Sequence, residues 1–292
     1  MLAALATISV LIEPAAGAGS PASGSLKYPF LQFQVPSASQ DGLGVTSGVA
    51  PCPKGHPNVT GGGIELGGDQ SGLDLEVHTT GPLGRGSWAG LANNSSTSTA
   101  SAKVTAICAK GDPRKFIHRQ ETIAVAPKTE GVGTVTCPHR TKVTGGGVFT
   151  SGTSFKVEVA ETGPIDIGDI NSLPDNGWGG VANNGSTSAA TMDVIAICAK
   201  SGTYRYVESD EVTLQDNSVV STLANCPART QVTGGGVDVF GFNDGFEVES
   251  SVPIDSRDAG AKPDDGWLGT ANNDNSGQAA NTRTFAICRK VG

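Results

Sequence analysis

The sequence lacks the features that mark nucleic-acid-binding, membrane and collagen-like proteins. It has no run of Lys or Arg, and its 20 basic and 28 acidic residues give a formal net charge of −8. This balance argues against nucleic acid or an anionic lipid surface as the partner. Beyond the N-terminus, no apolar run reaches the roughly 20 residues that a membrane helix requires, so no membrane insertion is predicted. The 41 glycines lack the Gly-X-Y period of collagen.

Catalytic and cofactor-binding motifs are missing as well. Neither G-x-S-x-G nor H-E-x-x-H occurs in the chain. Three Gly-Gly-Gly runs are present, but none continues into the P-loop or G-x-G-x-x-G pattern of a phosphate-binding loop. The four histidines fall at unrelated positions: His56, His78, His118 and His139. We therefore predict a protein that is not an enzyme and has no catalytic residues, no cofactor and no metal.

The N-terminus and the cysteines indicate export. Residues 2–12 are apolar and are followed by small residues at 15–19, which is typical of a signal peptide (residues 1–18) cleaved after Ala18. None of the six cysteines lies in a C-x-x-C pair, which weakens a zinc-ribbon or thioredoxin-like interpretation. An even number of cysteines behind such an N-terminus predicts disulfides in a secreted, extracellular protein.

The chain contains three copies of one pattern. Each copy reads Cys-Pro, Val-Thr-Gly-Gly-Gly or its close equivalent, then Trp, Asn-Asn and Ala-Ile-Cys. The closing cysteines are Cys108, Cys198 and Cys288, which are 90 residues apart. These spacings place the copies at residues 24–111, 112–201 and 202–292.

The periodicity within each copy predicts strands. Apolar and polar residues alternate at 73–78, 155–159 and 246–249, as in a strand with one buried and one solvated face. The segment before each closing cysteine is apolar on both faces toward its end and predicts a central strand. Opening strands are predicted at residues 28–35, 116–125 and 204–214. Since no window shows convincing helical periodicity, we predict an all-β protein.

The regular placement of the cysteines suggests one disulfide inside each copy. Six cysteines allow 15 connectivities, and the repetition favours three of those bridges. A bridge that closes a loop of about 60 residues contributes roughly 4 kcal/mol in the chain-entropy model. The predicted bridges are Cys52–Cys108, Cys137–Cys198 and Cys226–Cys288.

The whole pattern from residue 50 to residue 290 resembles a repeat found in exported bacterial proteins of unassigned function. A looser resemblance, at the level of threefold β repeats with cysteines, is to the β-prism of vitelline membrane outer layer protein I. That likeness implies one pseudo-threefold β-prism. Copies of about 90 residues are much longer than the prism repeats, which favours the other architecture, three tandem β-sandwich-like (Greek-key) repeats.

The repeated Trp and Asn residues are the candidate ligand-binding residues. An exposed Trp can stack on a sugar ring while a neighbouring Asn bonds its hydroxyls, and three equivalent sites would give avidity. The competing interpretation makes each Trp a core anchor over the bare triple-glycine backbone and each Asn-Asn pair a turn. The candidate residues are Trp88, Asn93, Trp178, Asn183, Trp267 and Asn272.

The loop before each Trp carries acidic residues in the second and third copies, but not in the first. Aspartates of this kind can bind calcium, although we expect them to be solvated loop residues. They are Asp166, Asp169 and Asp175, and Asp255, Asp258, Asp264 and Asp265.

These observations together predict a secreted, disulfide-stapled, non-enzymatic surface, matrix or adhesion-type module. The alternative is a lectin-like protein that binds carbohydrate through the Trp and Asn residues of each copy. The partner is unknown in either case, with an extracellular glycan or another cell-surface component as the candidate.

Overall fold

The structure is a computed structural model, and it confirms the all-β prediction. It describes residues 26–37, 44–67, 73–151, 156–167, 173–241, 245–256, 262–274 and 276–291. The predicted signal peptide, residues 1–18, lies outside the described residues. A short 3-10 turn, Pro113–Lys115, precedes the second copy's first strand, and no helix in the described part of the chain is long and apolar enough to span a membrane.

The described residues of the three copies form twenty strands. The first copy contains β1 (Leu26–Lys27), β2 (Phe30–Val35), β3 (Gly44–Pro51), β4 (Asn58–Gly67), β5 (Leu75–Pro82), β6 (Ser87–Asn94) and β7 (Ala100–Ala109). The second contains β8 (Phe116–Val125), β9 (Thr129–Thr136), β10 (Lys142–Ser151), β11 (Val157–Ile165), β12 (Gly177–Asn184) and β13 (Ala190–Ala199). The third contains β14 (Tyr204–Glu208), β15 (Val212–Leu214), β16 (Ser218–Asn225), β17 (Thr230–Phe240), β18 (Phe246–Ile254), β19 (Gly266–Asn273) and β20 (Ala280–Lys290).

The predicted opening strands are all present. The second copy's strand spans the predicted residues 116–125. In the third copy the predicted segment is divided into β14 and β15, both of which pair with β20. In the first copy the strand begins at Phe30, two residues later than predicted.

The strands form three antiparallel sheets, and every sheet contains strands from two copies. Their orders are β1-β7-β4-β18-β19-β16, β3-β6-β5-β10-β13-β8 and β14-β20-β17-β11-β12-β9, with β2 and β15 as additional partners of β7 and β20. The first copy therefore pairs with the second, the second with the third, and the third with the first. This closed ring is compatible with the pseudo-threefold alternative, and the copies do not stand apart in a row.

Inside each copy, two half-sheets pack against each other, as in a sandwich. In the first copy β4 and β7 face β5 and β6, with Trp88 between them. The copies are joined by much shorter contacts, such as the pairing of Val148 with Thr80 between β10 and β5. The sandwich therefore describes the interior of one copy, and the ring describes how three of them share a fold.

The first glycine of each triple lies where the three copies meet. A Cβ atom on Gly61 would lie 2.8 Å from the Cα of Gly234, one on Gly234 would lie 2.7 Å from the Cα of Gly145, and one on Gly145 would lie 2.9 Å from the Cα of Gly61. No side chain fits there. Each of these glycines also follows a register shift in its strand, so the triples combine a β-bulge with a close approach of backbones. We call this region the glycine end of the axis.

The three disulfides join the pairs that the repetition predicts. The Cα–Cα distances are 5.7 Å for Cys52–Cys108 and Cys137–Cys198 and 5.6 Å for Cys226–Cys288. The closing cysteine of each copy pairs in register with the Val that stands two residues before the triple glycine. The bridges therefore fasten each copy beside the glycine end.

Candidate functional site

The three tryptophans are core residues, and the prediction that they could stack on sugar rings is wrong. At most 1% of each Trp is exposed, and one face of each ring lies against the middle glycine of its triple, at Gly62, Gly146 or Gly235. Each indole N–H is used inside the same copy. The hydrogen bonds run from Trp88 to Thr80 Oγ1 (3.0 Å), from Trp178 to Thr162 Oγ1 (2.9 Å) and from Trp267 to Ser251 Oγ (2.9 Å).

The second Asn of each pair organises the turn that follows it. In the second copy, Asn184 Nδ2 donates to Ser188 O (2.9 Å) and to Val125 O (3.2 Å), while its Oδ1 accepts from Ser186 N (3.1 Å). The prediction that the Asn-Asn pair itself forms the turn is wrong, because both residues belong to the end of a strand and neither has a positive φ. The second Asn stabilises the turn that follows through its side-chain hydrogen bonds.

The first Asn of each pair connects neighbouring copies and cannot present its amide to a surface ligand. Asn93, Asn183 and Asn272 are fully buried. Asn183 Nδ2 in the second copy donates to Phe246 O in the third (2.9 Å), and Asn272 Nδ2 in the third copy lies 3.5 Å from Leu75 O in the first. The sugar-binding prediction is therefore wrong for these residues too, since their polar groups face the interior of the molecule.

A glutamate faces each of these asparagines across a strand pair. The register pairs Glu76 with Asn93, Glu158 with Asn183 and Glu247 with Asn272. Directly opposed residues of an antiparallel pair lie on the same face of the sheet, and the glutamate strands β5, β11 and β18 contact one another around the axis. We call these six side chains the axial ring.

The sequence analysis missed the glutamates of the axial ring. The alternating pattern assigned them to the solvated face of a strand, but Glu76 and Glu247 are only 8% exposed and Glu158 is partly buried. The face of each strand that carries the glutamate is covered by a neighbouring copy. One signal in the sequence marks them: all three copies carry Glu at this position and Asn at its partner.

Burial raises the pKa values of the three glutamates in the axial ring and so favours their protonated forms. Desolvation, reinforced by Glu158 and Asp74, raises the pKa of Glu76 to about 9. Desolvation also raises the pKa of Glu158 to about 7, although hydrogen bonds from Glu247 and Asn93 and the charge of Lys156 oppose it. The pKa of Glu247 is raised well above its usual range by burial and by the neighbouring carboxylates. The carboxyl of Glu247 therefore donates a proton to a hydrogen bond with Glu158.

A second carboxyl cluster lies where the second and third copies meet. Arg283 donates to Asp238 Oδ2 (2.9 Å) and to Glu208 Oε2 (3.2 Å), and its guanidinium lies 4.5 Å from the centre of the Phe240 ring. Burial and the nearby Asp238 raise the pKa of Glu161 to about 8. The ion pairs lie within the third copy, and Glu161 of the second copy packs beside them.

The described aspartates of the acidic loops have partners within the protein. Asp175 forms an ion pair with Lys142, and Asp264 accepts a hydrogen bond from Gln231 Nε2 (2.6 Å). Asp169 and Asp258 lie outside the described residues. Within the described ranges, no three His, Cys, Asp or Glu side chains are by themselves placed to hold a metal ion.

Comparisons with known proteins do not assign a family or a function to the chain. No protein-family model matches the chain, and a search of curated proteins finds no significant match.

Proposed function

We propose that this protein is an exported, non-enzymatic structural module of a cell surface or extracellular matrix. One observation carries the proposal: the side chains that the three copies share all stabilise the fold. The cysteines are bridged, the tryptophans are buried and the asparagines hold turns and junctions. What the copies have in common is therefore a way of folding.

The disulfides support the extracellular part of the proposal. The protein is stabilised by three of them, and none of its cysteines is free. Such bridges persist in oxidising compartments and are rare in the cytosol. A lectin-like function through the repeated Trp and Asn residues has no support from this geometry, so we do not retain it as a candidate.

Localisation combined with thiol trapping tests the proposal. Cells that naturally make the protein are lysed in an alkylating reagent and separated into cytosol, surface extract and medium, and the protein is identified by intact mass. We expect it in the surface extract or the medium with no alkylated cysteine. Recovery from the cytosol with six alkylated cysteines would overturn the proposal.

A glycan array tests the surface function separately. The wild type and Trp178→Phe are compared, because Phe keeps an aromatic core residue while removing the indole N–H. We expect no glycan binding that depends on Trp178. Binding that is lost in the folded variant would return the lectin function to consideration.

A further inference from the structure

The opening strand of the second copy, β8, is an exposed edge strand with a self-complementary pattern of charges. It lies at the end of its sheet, beside β13, and its residues 119–122 and 124 are exposed. We propose that β8 pairs with β8 of a second molecule of this protein, as two antiparallel strands centred on Gln120. Such a pairing extends one sheet through two molecules and makes a symmetric dimer. This inference goes beyond the proposed function and does not depend on it.

The even-numbered residues of β8 point their backbone hydrogen-bonding groups away from the sheet. Lys200 N donates to Lys115 O (3.0 Å) just before the strand begins. Because an antiparallel ladder alternates, the odd-numbered residues bond to β13 and the even-numbered ones face outward. Phe116 O agrees with this direction, since it accepts from Arg85 Nη1 (2.9 Å) in the first copy. Within the described part of the chain, no other group bonds to the outward-facing backbone of residues 118–124, so this edge is open to another strand.

The side chains of β8 match those of the same strand running in the opposite direction. In a pairing centred on Gln120, Arg119 lies opposite Glu121 of the second molecule, and the twofold axis repeats this pair. Ile117 lies opposite Ile123 in the same way. These are the positions without mutual backbone hydrogen bonds, where facing side chains lie closest. The pairing therefore places two ion pairs between two apolar contacts on one face of the extended sheet.

The charges select this register over its neighbours. A pairing centred on Arg119 would place two guanidinium groups opposite each other, and one centred on Glu121 would oppose two carboxylates, both of which destabilise a strand pair. Neither side chain forms an ion pair within the described residues. Both line an open groove between β8 and β9, together with Val135 and Thr136. The two charged groups are therefore available to a second molecule.

The other sheet edges lack this combination. The opening strand is interrupted at Tyr28 and Pro29 in the first copy and at residues 209–211 in the third, and such irregularities protect an edge from pairing with another chain. The edge strands β3 and β16 are continuous but carry no charge, and β9 carries only Glu130. Among the described edge strands, β8 alone joins ten uninterrupted residues to opposite charges on one face. This contrast favours β8 as the contact between molecules.

Sedimentation equilibrium of the full chain, from about 5 μM to about 1 mM, tests whether the dimer exists. Two single strands make a small interface, so we expect a reversible dimer with a Kd of roughly 10–500 μM. Added salt should weaken it, because the ion pairs lie at the surface. A monomer at every concentration, or open-ended assembly, would overturn the proposal.

Charge reversal tests the register. Arg119→Glu and Glu121→Arg each place like charges opposite each other twice, so each should weaken dimerisation at least tenfold. The double variant Arg119→Glu/Glu121→Arg restores opposite charges and should return Kd to within about threefold of the wild type. An equimolar mixture of the two single variants should form a mixed dimer for the same reason. Arg205→Glu is the matched control, because it makes the same change at an exposed position of the edge strand β14 and should leave Kd unchanged. A wild-type dimer that is unaffected by either single reversal would contradict this register.

A proline tests the contribution of the backbone. Gln120→Pro removes an N–H that faces away from β13, a position at which an edge strand tolerates proline, and it should abolish the dimer. Gln120→Ala keeps this N–H and should leave the dimer intact. A dimer that persists in the folded proline variant would mean that the strands do not pair through their backbones.

A measurement on the wild type alone decides the question if the variants do not fold. Amide hydrogen exchange is followed by NMR in dilute and in concentrated solution. The outward-facing amides of Gln120 and Thr122 should exchange more slowly as the dimer fraction rises, whereas those of Glu121 and Ile123 bond to β13 and should be protected at both concentrations. Exchange at Gln120 and Thr122 that does not change with concentration would contradict the proposal.

Discussion

The two ends of the pseudo-threefold axis bring the three copies together in different ways. At the glycine end, Gly61, Gly145 and Gly234 let three backbones approach until no Cβ atom fits between them. At the other end, three Glu–Asn pairs fill the space around the axis with polar side chains. The first arrangement depends only on packing. The second depends on the protonation of the glutamates, and therefore on pH.

This difference separates residues that build the fold from residues that respond to conditions. Glycines and disulfides at one end do not titrate, so their contribution is nearly constant between acid and alkaline pH. The axial ring carries three carboxyls whose pKa values are all raised. Variants at the two ends should therefore differ in the size and in the pH dependence of their effects.

Removing a disulfide beside the glycine end should have the largest effect. The Cys137–Cys198 bridge spans 61 residues of sequence, and the chain-entropy model assigns about 4 kcal/mol to a loop of that size. The double variant Cys137→Ala/Cys198→Ala should lose about that much free energy of unfolding, measured by chemical denaturation. A loss below about 1 kcal/mol would show that the paired strands alone hold this copy closed.

Adding one methyl group at the glycine end should come next. Gly145→Ala would place a Cβ 2.9 Å from the Cα of Gly61, where neither backbone can move without opening the junction between copies. We expect a loss of about 3 kcal/mol, the upper range for overpacking, seen as a lower denaturation midpoint. Gly163→Ala is the control, because its Cβ would meet only Phe285 at an ordinary 3.6 Å. Equal losses in the two variants would contradict the close approach at the axis.

The axial ring should make stability fall as pH rises. The folded-state pKa of Glu76 is raised to about 9 from 4.5, so the folded protein binds this proton more tightly than the unfolded chain does. This stabilisation is complete below about pH 4.5 and is lost progressively up to about pH 9, each tenfold difference in proton affinity contributing about 1.4 kcal/mol. Chemical denaturation of the protein across this pH range should show the decrease in the free energy of unfolding.

Glu247→Gln sharpens that prediction. A neutral amide imitates the protonated carboxyl, so the variant should match the wild type near pH 5 and be more stable than the wild type near pH 9, by roughly 1 kcal/mol or more. The relevant charged groups are Glu76, Glu158, Asp74, Asp274 and Lys156, and all of them remain in the variant. Identical pH profiles for the two proteins would show that Glu247 does not titrate in this range.

The sequence was sufficient to predict the structural features that lie within one copy. Alternation of apolar and polar residues located the strands, and the recurrence of the cysteines predicted bridges such as Cys137–Cys198, which the structure contains. The triple glycines and tryptophans also implied their contact, since a bare backbone beside a large ring has few other uses. Each of these signals is local or is repeated at one spacing.

The sequence was insufficient to predict how the copies contact one another. The junctions consist of one or two residue pairs, such as Val148 with Thr80, and so short a pairing leaves no periodic pattern. For the same reason the alternation at Glu76 and Val77 distinguished two faces of a strand without showing that a neighbouring copy covers the glutamate. An identical polar residue in every copy was the available signal, and it has meaning only once the three copies are known to meet.

A single hydroxyl at the glycine end provides the smallest test of the comparison. Thr144 Oγ1 lies 3.1 Å from Ile197 O in its own copy and 3.1 Å from Thr60 O in the first copy. Thr144→Val keeps the shape of the side chain and removes both contacts, so we expect a loss of about 1 kcal/mol in the free energy of unfolding. Thr60→Val removes a single hydrogen bond, to Ile107 O, and should cost less. Both losses should be the same at acid and alkaline pH, because a hydroxyl does not titrate there, and a Thr144→Val effect that changed with pH would mean that the two ends of the axis are coupled.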